Sequence, residues 1–371
     1  MKNTDRVFII AEAGVNHNGS IRIAREMIEV AAQAGSDAVK FQTFQTEKGL
    51  CLSAPKADYQ IRNTGTSESQ LEMIKKLELS QEDHYILRDH CKLHGIEFMS
   101  TPFDFESVDL LVKLNVGRLK IGSGEIVNAP LLLKAAWTGK PIILSTGMSS
   151  LGEIETALGV LAFGYSFEAG IPSLSNFKKA FSTIEGQKAL QEKVSLLHCT
   201  TEYPAAFSEV NLRAMDTLKT AFGLKVGYSD HTSGIAVPIA AAARGAVIIE
   251  KHFTLDRNFE GPDHKASIEP EELTAMVRSI REVEASLGST CKMPSPSESK
   301  NLDIARKSLV ASKMIGRGEE FTADNIGIKR PGNGLSPMFY WNLIGTKAEK
   351  DYDIDQMVGP IIDNYKYWKE L

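Results

Sequence analysis

Two histidines and two lysines stand where short apolar runs give way to polar residues. His231 follows KVGYSD (225–230), and His252 closes the apolar stretch of AVIIEKHFT (246–254). Lys40 lies in AVKFQTF (38–44) and Lys120 in RLKIGSG (118–124). A lysine leaving a buried strand cannot stay unpaired, because desolvating a lone charge costs several kcal/mol. Simple ion pairing, Lys40 with Glu12 and Lys120 with Glu125, is one answer. Four hydroxyls at other run ends, on Thr101, Ser123, Ser145 and Ser229, suggest a second. Hydroxyls, ammonium groups and the backbone amides of a helix start, here Ser145-Thr146-Gly147, make the usual cradle for a phosphate. The set points to a small, doubly anionic phosphorylated ligand. A single histidine at a strand exit is most simply a hydrogen-bonded structural residue. Two at neighbouring exits, both neutral, suit a borderline divalent ion such as Mn²⁺, Fe²⁺, Co²⁺ or Zn²⁺. Only two protein ligands leave positions for water and substrate, as a catalytic metal needs.

The elements that would position these residues repeat one order eight times: an apolar run, a polar elbow, a helical pattern. Beside the four runs above they include VFIIAEAG (7–14), EFMSTPF (97–103), PIILSTG (141–147) and VSLLHCT (194–200). Near-continuous Val, Ile and Leu without strict alternation predict parallel strands buried on both faces. Ser80 with Asp83 and Ser150 with Glu153 have capping-box spacing, and helices should stop at Gly35 and Gly139. Eight such units predict an α/β fold, a closed (β/α)8 TIM barrel, rather than an open doubly wound sheet. No GxGxxG follows the first run, which also argues against a dinucleotide fold. In this barrel class the strand exits converge on one mouth. Reading them in order gives Glu12, Lys40 with Gln42, Thr101, Lys120 with Ser123 and Glu125, Ser145, Thr201 with Tyr203, Ser229 with His231, and His252. His17 in NHNG and His264 in GPDHK are candidates to line that mouth. His198 reads as packing, and His84, His90 and His94 fall on what should be a solvated helix.

The 371 residues are 43% apolar and 24% charged, with a net charge of −5. A mildly acidic chain gives no argument for nucleic acid or an anionic membrane as partner. Cys51, Cys91, Cys199 and Cys291 show no paired spacing and read as buried free thiols of a reducing compartment. Cys199 beside His198 admits a nucleophile reading as the lesser alternative. MKNTDRVFII lacks a signal-peptide core and no run reaches membrane-spanning length, so a cytoplasmic protein is expected. A composition shift at 288–303, GSTCKMPSPSESKNLD, reads as a linker between a barrel domain at 1–287 and a small β-rich domain at 304–371. The stretch 161–192 exceeds what a barrel needs between its fifth and sixth strands and reads as an inserted helical elaboration.

The motifs AEAGVNHNGS, VKFQTF, STPFD, KIGSGE, LSTGM, LHCTTEYP, GYSDHT, EKHFTLD, GPDHKASIEPEEL and KRPGNGLSP occur in this order. Together they resemble the bacterial sialic acid synthase family over essentially the whole chain. The resemblance implies a transferase that condenses phosphoenolpyruvate with an open-chain N-acetylated hexosamine, giving a nine-carbon nonulosonic acid and phosphate. It implies an antifreeze-like (SAF) domain at 304–371 and a domain-swapped homodimer. It also implies a divalent metal on His231 and His252, Mn²⁺ first, with Mg²⁺ or Co²⁺ as alternatives. By position, phosphate contacts fall on Lys120, Ser123, Ser145 and Ser229, and carboxylate contacts on Lys40 and Thr101. Acceptor contacts fall on Glu12, Gln42, Glu125, Tyr203, Asp263 and Arg330, with Glu12 and Glu125 best placed to handle protons. Where some members have Asn as a further phosphate contact, this chain has Thr201, whose hydroxyl can still donate.

The resemblance admits two acceptors, N-acetylmannosamine for N-acetylneuraminate and 2,4-diacetamido-2,4,6-trideoxymannose for N,N'-diacetyllegionaminate. The segment APKADYQIRNTG resembles N-acetylneuraminate synthases of enteric bacteria and favours the first. A synthase for a phosphorylated aldose would need a second cationic pocket, which Gln42, Tyr203 and Asp263 do not supply. A non-enzymatic carbohydrate- or ice-binding protein would have no use for the metal and phosphate positions.

Overall fold

The computed structural model describes residues 6–65, 67–166 and 170–359. All eight apolar runs are strands: β1 Phe8–Gly14, β2 Ala38–Thr43, β3 Glu97–Pro102, β4 Leu119–Ile121, β5 Ile142–Ser145, β6 Val194–His198, β7 Lys225–Asp230 and β8 Ile248–His252. They pair in the order β3-β2-β1-β8-β7-β6-β5-β4, each hydrogen-bonded pair parallel. β3 also lies against β4, so the sheet curls into a nearly closed TIM-like barrel. A helix follows every strand, from Ile21–Gln33 after β1 to Pro270–Leu287 after β8. Ser80 caps the helix Gln81–Leu93 reciprocally with Asp83, and Ser150 and Glu153 exchange the same bonds.

The side-chain period of two explains how an apolar barrel becomes a polar mouth. Ile10, Ala38, Met99, Ile143, Leu197 and Ile248 form a compact apolar plug inside the barrel. Two residues further along the same strands, on the same inner face, stand Glu12, Lys40, Thr101, Ser145, Cys199 and Glu250. The intervening residues, such as Ile9, Val39, Leu144 and Ile249, join the larger core between sheet and helices. The polar floor of the mouth therefore rests on a packed layer.

Between β5 and β6 lie three helices, Leu151–Ser166, Leu174–Phe181 and Ile184–Lys193. The last two are the helical elaboration expected at 161–192, of which 167–169 lie outside the described residues. Phe177 seats it by packing on Phe163, ring centroids 5.3 Å apart. The chain divides into two compact units, Met1–Gly288 and Ser289–Leu371. The second begins with two single-turn helices, Pro296–Ser299 and Leu302–Ala305, where a plain linker is expected. It then pairs β9 Ser308–Ala311 with β10 Ile326–Lys329, antiparallel, over a core that includes Leu309, Phe321 and Tyr352. The expected β-rich domain extends to 371, and its residues 360–371 lie outside the described part. Among the described residues no helix is long and apolar enough to cross a membrane.

Candidate active site

Strand register assembles the site. β8, β1 and β2 set His252 opposite Glu12 and Glu12 opposite Lys40. Lys40 Nζ lies 2.6 Å from Glu12 Oε2 and 3.0 Å from Thr101 Oγ1. Its next neighbour is Glu250 Oε2, at 3.7 Å. Lys120 donates to Ser145 Oγ at 2.8 Å and lies 3.3 Å from Glu250 Oε1, which also accepts from Ser229 Oγ at 2.8 Å. Lys120 is therefore not paired with Glu125. β4 ends at Ile121, and Glu125 sits in the 3-10 turn Ser123–Glu125, accepting from Asn128 at 2.7 Å. Glu250, which sequence reasoning passed over, takes that place. Its signal was the alternation Ile248, Glu250, His252, which puts it on the inner face below the histidine.

Burial and charge pull these groups apart. Burial pushes the Glu12 carboxyl up to about 7, against the pull of Lys40, and the charge on Glu250 adds to the rise. Burial also works to raise Glu250, but Lys120, Lys40 and the Ser229 hydroxyl outweigh it and hold that carboxyl at about 2. Burial lowers Lys120, and Glu250 offsets only part of the fall. Lys40 ends above its ordinary value because Glu12 and Glu250 more than compensate its burial. Two buried ammonium groups thus share one firmly ionised carboxylate and one poised near neutrality.

The two histidine rings lie 5.6 Å apart, centroid to centroid. His231 Nδ1 meets the Thr200 carbonyl at 2.6 Å, which fixes the proton on Nδ1 and leaves the Nε2 lone pair free. His252 Nδ1 is buried without a protein hydrogen-bond partner. Burial holds both rings below the ordinary histidine value, His252 further through its neighbour His231, so both are neutral. A Cβ on Gly14, whose φ is +54°, would stand 3.3 Å from the His252 ring. Glycine both adopts that backbone and leaves the ring its room. These neutral imidazoles, one with an orphaned nitrogen, fit a divalent metal.

Tyr203 lies half-buried over His231, ring centroids 4.2 Å apart, and against Tyr59 at 5.1 Å. Tyr59 belongs to the helix Asp58–Thr64, so the segment 51–66 reaches the mouth; its residue 66 is outside the described part. Asp263 is buried, which alone pushes its carboxyl up to about 6. Gln42 stands opposite Thr101 in register. Ser145-Thr146-Gly147 is not a helix start, since the following helix begins at Leu151. It is a tight turn in which Gly147 N donates to Ser123 Oγ at 3.0 Å. A Cβ on Gly147 would meet Thr201 Oγ1 at 2.3 Å, and the Thr201 hydroxyl is buried without a partner. A cavity of about 1090 Å³ opens beside these turns and touches the expected site at Thr146 and Thr201. Arg330 is exposed in the C-terminal unit, directly after β10.

Several other placements differ from expectation, whereas His198 packs as expected. His84 and His90 are buried and only His94 is exposed, because the helix Gln81–Leu93 turns that face onto the barrel. Cys51 and Cys291 are exposed; Cys91 and Cys199 are the buried thiols. Burial raises the Cys199 thiol, which does not suit a nucleophile. His17 and His264 are fully buried, and His264 bonds Thr254 at 2.7 Å. His198 meets the Val210 carbonyl at 2.8 Å and packs on Tyr228.

Known proteins resemble this chain in sequence and fold. The model described as NeuB family matches residues 27–292, and that of the SAF domain matches 306–359. The N,N'-diacetyllegionaminic acid synthase of Campylobacter jejuni is 50% identical over 353 residues, 95% of this chain and 99% of that one. The synthase of the same name from Legionella pneumophila is 44% identical over 340 residues, 92% and 90% of the two chains. The crystal structure of N-acetylneuraminic acid (sialic acid) synthetase from Leptospira borgpetersenii, in complex with citrate, is 35% identical with a TM-score of 0.65, covering 80% of this chain and 90% of that one. The chain belongs to the NeuB family, as a synthase whose barrel is followed by a SAF domain.

Proposed function

We propose that this synthase condenses phosphoenolpyruvate with open-chain 2,4-diacetamido-2,4,6-trideoxymannose, forming N,N'-diacetyllegionaminate and phosphate. The observation that carries the reaction class is the pair of buried lysines sharing Glu250, an arrangement that an incoming dianion would complete. The acceptor rests on the two relatives at 50% and 44% identity. An aromatic wall of Tyr59 and Tyr203 at the mouth also suits a deoxygenated sugar carbon. N-acetylmannosamine is the second reading, supported by APKADYQIRNTG.

In this mechanism Lys40 and Thr101 fix the phosphoenolpyruvate carboxylate, while Lys120, Ser123, Ser145, Thr201 and Ser229 surround its phosphate. Gln42, Tyr203, Asp263 and Glu125 hold the acceptor. His231 and His252 would hold a divalent metal, Mn²⁺ first, which supplies Lewis-acid polarisation of an aldehyde oxygen. Phosphoenolpyruvate C3 bonds to the aldehyde carbon, water adds at C2, and the C2–O bond to phosphate breaks. Glu12, at about 7, supplies the proton taken up by the former aldehyde oxygen. Arg330, brought by a second copy in a domain-swapped homodimer, closes on the acceptor. The free thiols suit a cytoplasmic setting.

Phosphate release is the test, measured with each acceptor at saturating phosphoenolpyruvate and Mn²⁺. A higher kcat/KM for the diacetamido sugar supports the proposal. A preference of about tenfold for N-acetylmannosamine, ~1.4 kcal/mol in the transition state, would reassign the acceptor. No phosphate with either sugar would overturn the reaction class.

A further inference from the structure

We propose that Glu29, His90 and His94 form a second, non-catalytic site for a borderline divalent ion, Zn²⁺, Co²⁺, Ni²⁺ or Cu²⁺, on the outside of the barrel. His90 and His94 stand four residues apart at the C-terminal end of the helix Gln81–Leu93, with ring centroids 4.6 Å apart. Residues at that spacing share one helix face, and an i, i+4 histidine pair is a metal-binding arrangement in its own right. The third donor comes from another element. Glu29 lies on the helix Ile21–Gln33, which packs beside Gln81–Leu93, and its Oε1 is 3.0 Å from His90 Nε2.

One ligand atom from each of the three lies within 4.8 Å of the others. A tetrahedral ion with bonds of about 2.1 Å holds its ligand atoms roughly 3.4 Å apart, so only a small closure is needed. The burial pattern allows it: His90 is buried and anchored, Glu29 is half-buried, and His94 is exposed at the helix end, where its ring can swing. Two imidazoles and one carboxylate match the donor chemistry of a borderline ion rather than Mg²⁺ or Ca²⁺, which prefer all-oxygen sets. The solvent side leaves the fourth position to water. All three residues lie on helices outside the sheet and none belongs to the mouth. The bound ion would clip the helix after β1 to the helix before β3, which is a stabilising rather than a chemical role.

The experiment counts Zn²⁺ on the full-length protein by equilibrium dialysis and follows thermal unfolding with and without Zn²⁺. The background is a His231→Ala, His252→Ala double variant, which removes the mouth as a competing site. This background should bind one Zn²⁺ per chain and unfold at a higher temperature when Zn²⁺ is present. Adding His94→Ala, an exposed change that spares the fold, should weaken that binding by about tenfold or more, since removing even a supporting partner of a metal ligand costs about 10–100-fold. Glu29→Gln should weaken it in the same direction, and both should abolish the thermal shift. Should the background fail to fold, the comparison is wild type against His94→Ala, which should differ by one Zn²⁺ per chain. Equal Zn²⁺ stoichiometry and affinity with and without His94 would overturn the proposal. Failure here leaves the synthase reading untouched, because the readout is metal bound outside the mouth.

Discussion

Two lysine–acid clusters lie back to back on β8, and they differ in one respect. On the outer face Lys251 donates to Asp230 Oδ2 at 2.6 Å and to the Thr232 carbonyl. Asp230 in turn accepts from Thr232 N and Oγ1, each at 3.1 Å. Both side chains have 0% exposure, and the Tyr228 hydroxyl also faces Asp230. On the inner face, one residue away, Glu250 is shared between Lys120 and Lys40. The outer cluster is closed upon itself and cross-links β7 to β8 beside both histidines. The inner one is open, with Thr201 Oγ1 and His252 Nδ1 still lacking partners nearby. A satisfied buried ion pair is architecture, whereas one that a ligand would complete is a candidate site.

Exchanging a lysine in each cluster should separate the two. Lys120→Met is expected to lower kcat/KM for phosphoenolpyruvate by about 10³-fold or more, as loss of a principal anion contact does, with a smaller loss of thermal stability than in the outer cluster, because Lys40 and Ser229 still face Glu250. Lys251→Met should do the reverse. Orphaning Asp230 costs about 3–5 kcal/mol of stability, while turnover per folded molecule, measured well below the unfolding transition, stays within a few-fold. If Lys251→Met instead cost as much activity as Lys120→Met, the division between architecture and site would fail.

Asp263 sharpens the contrast, because it shows a buried carboxyl with no cation paired to it among the described residues. Its group ionises at about 3.8 when unfolded and at about 6 in the fold. Between those values the unfolded chain binds fewer protons, so this residue makes stability fall as pH rises from about 4 to about 6. Asp263→Asn should remove that fall. Denaturant titrations should find the variant more stable than wild type at pH 7, by on the order of 3 kcal/mol for a shift of this size, and equal to it near pH 4. An advantage that did not change with pH would refute the assignment.

The smallest effect concerns Glu250. Its charge is what chiefly opposes the burial-driven lowering of Lys120. In Glu250→Gln, phosphoenolpyruvate binding should therefore be lost at a lower alkaline pH than in wild type. Isothermal titration across the alkaline range would read this directly, and an unmoved limb would show that Glu250 does not sustain the lysine charge.

The sequence by itself determined the eight strands and their exits. Each strand is a local apolar run, and alternation inside it is a property of the chain alone. It also determined that His231 and His252 would be neighbours, because consecutive barrel strands are adjacent. The helix starts at Ser80 and Ser150 were legible for the same reason: their capping partners sit three residues away. Only the tertiary structure decided which acid answers which lysine. Lys120 on β4 meets Glu250 on β8 across the barrel, a contact set by strand register and ring closure rather than by spacing. Glu29 meeting His90 likewise depends on how two helices pack outside the sheet. The ionisation of Asp263 was hidden too, because burial belongs to the assembled fold and not to the residue.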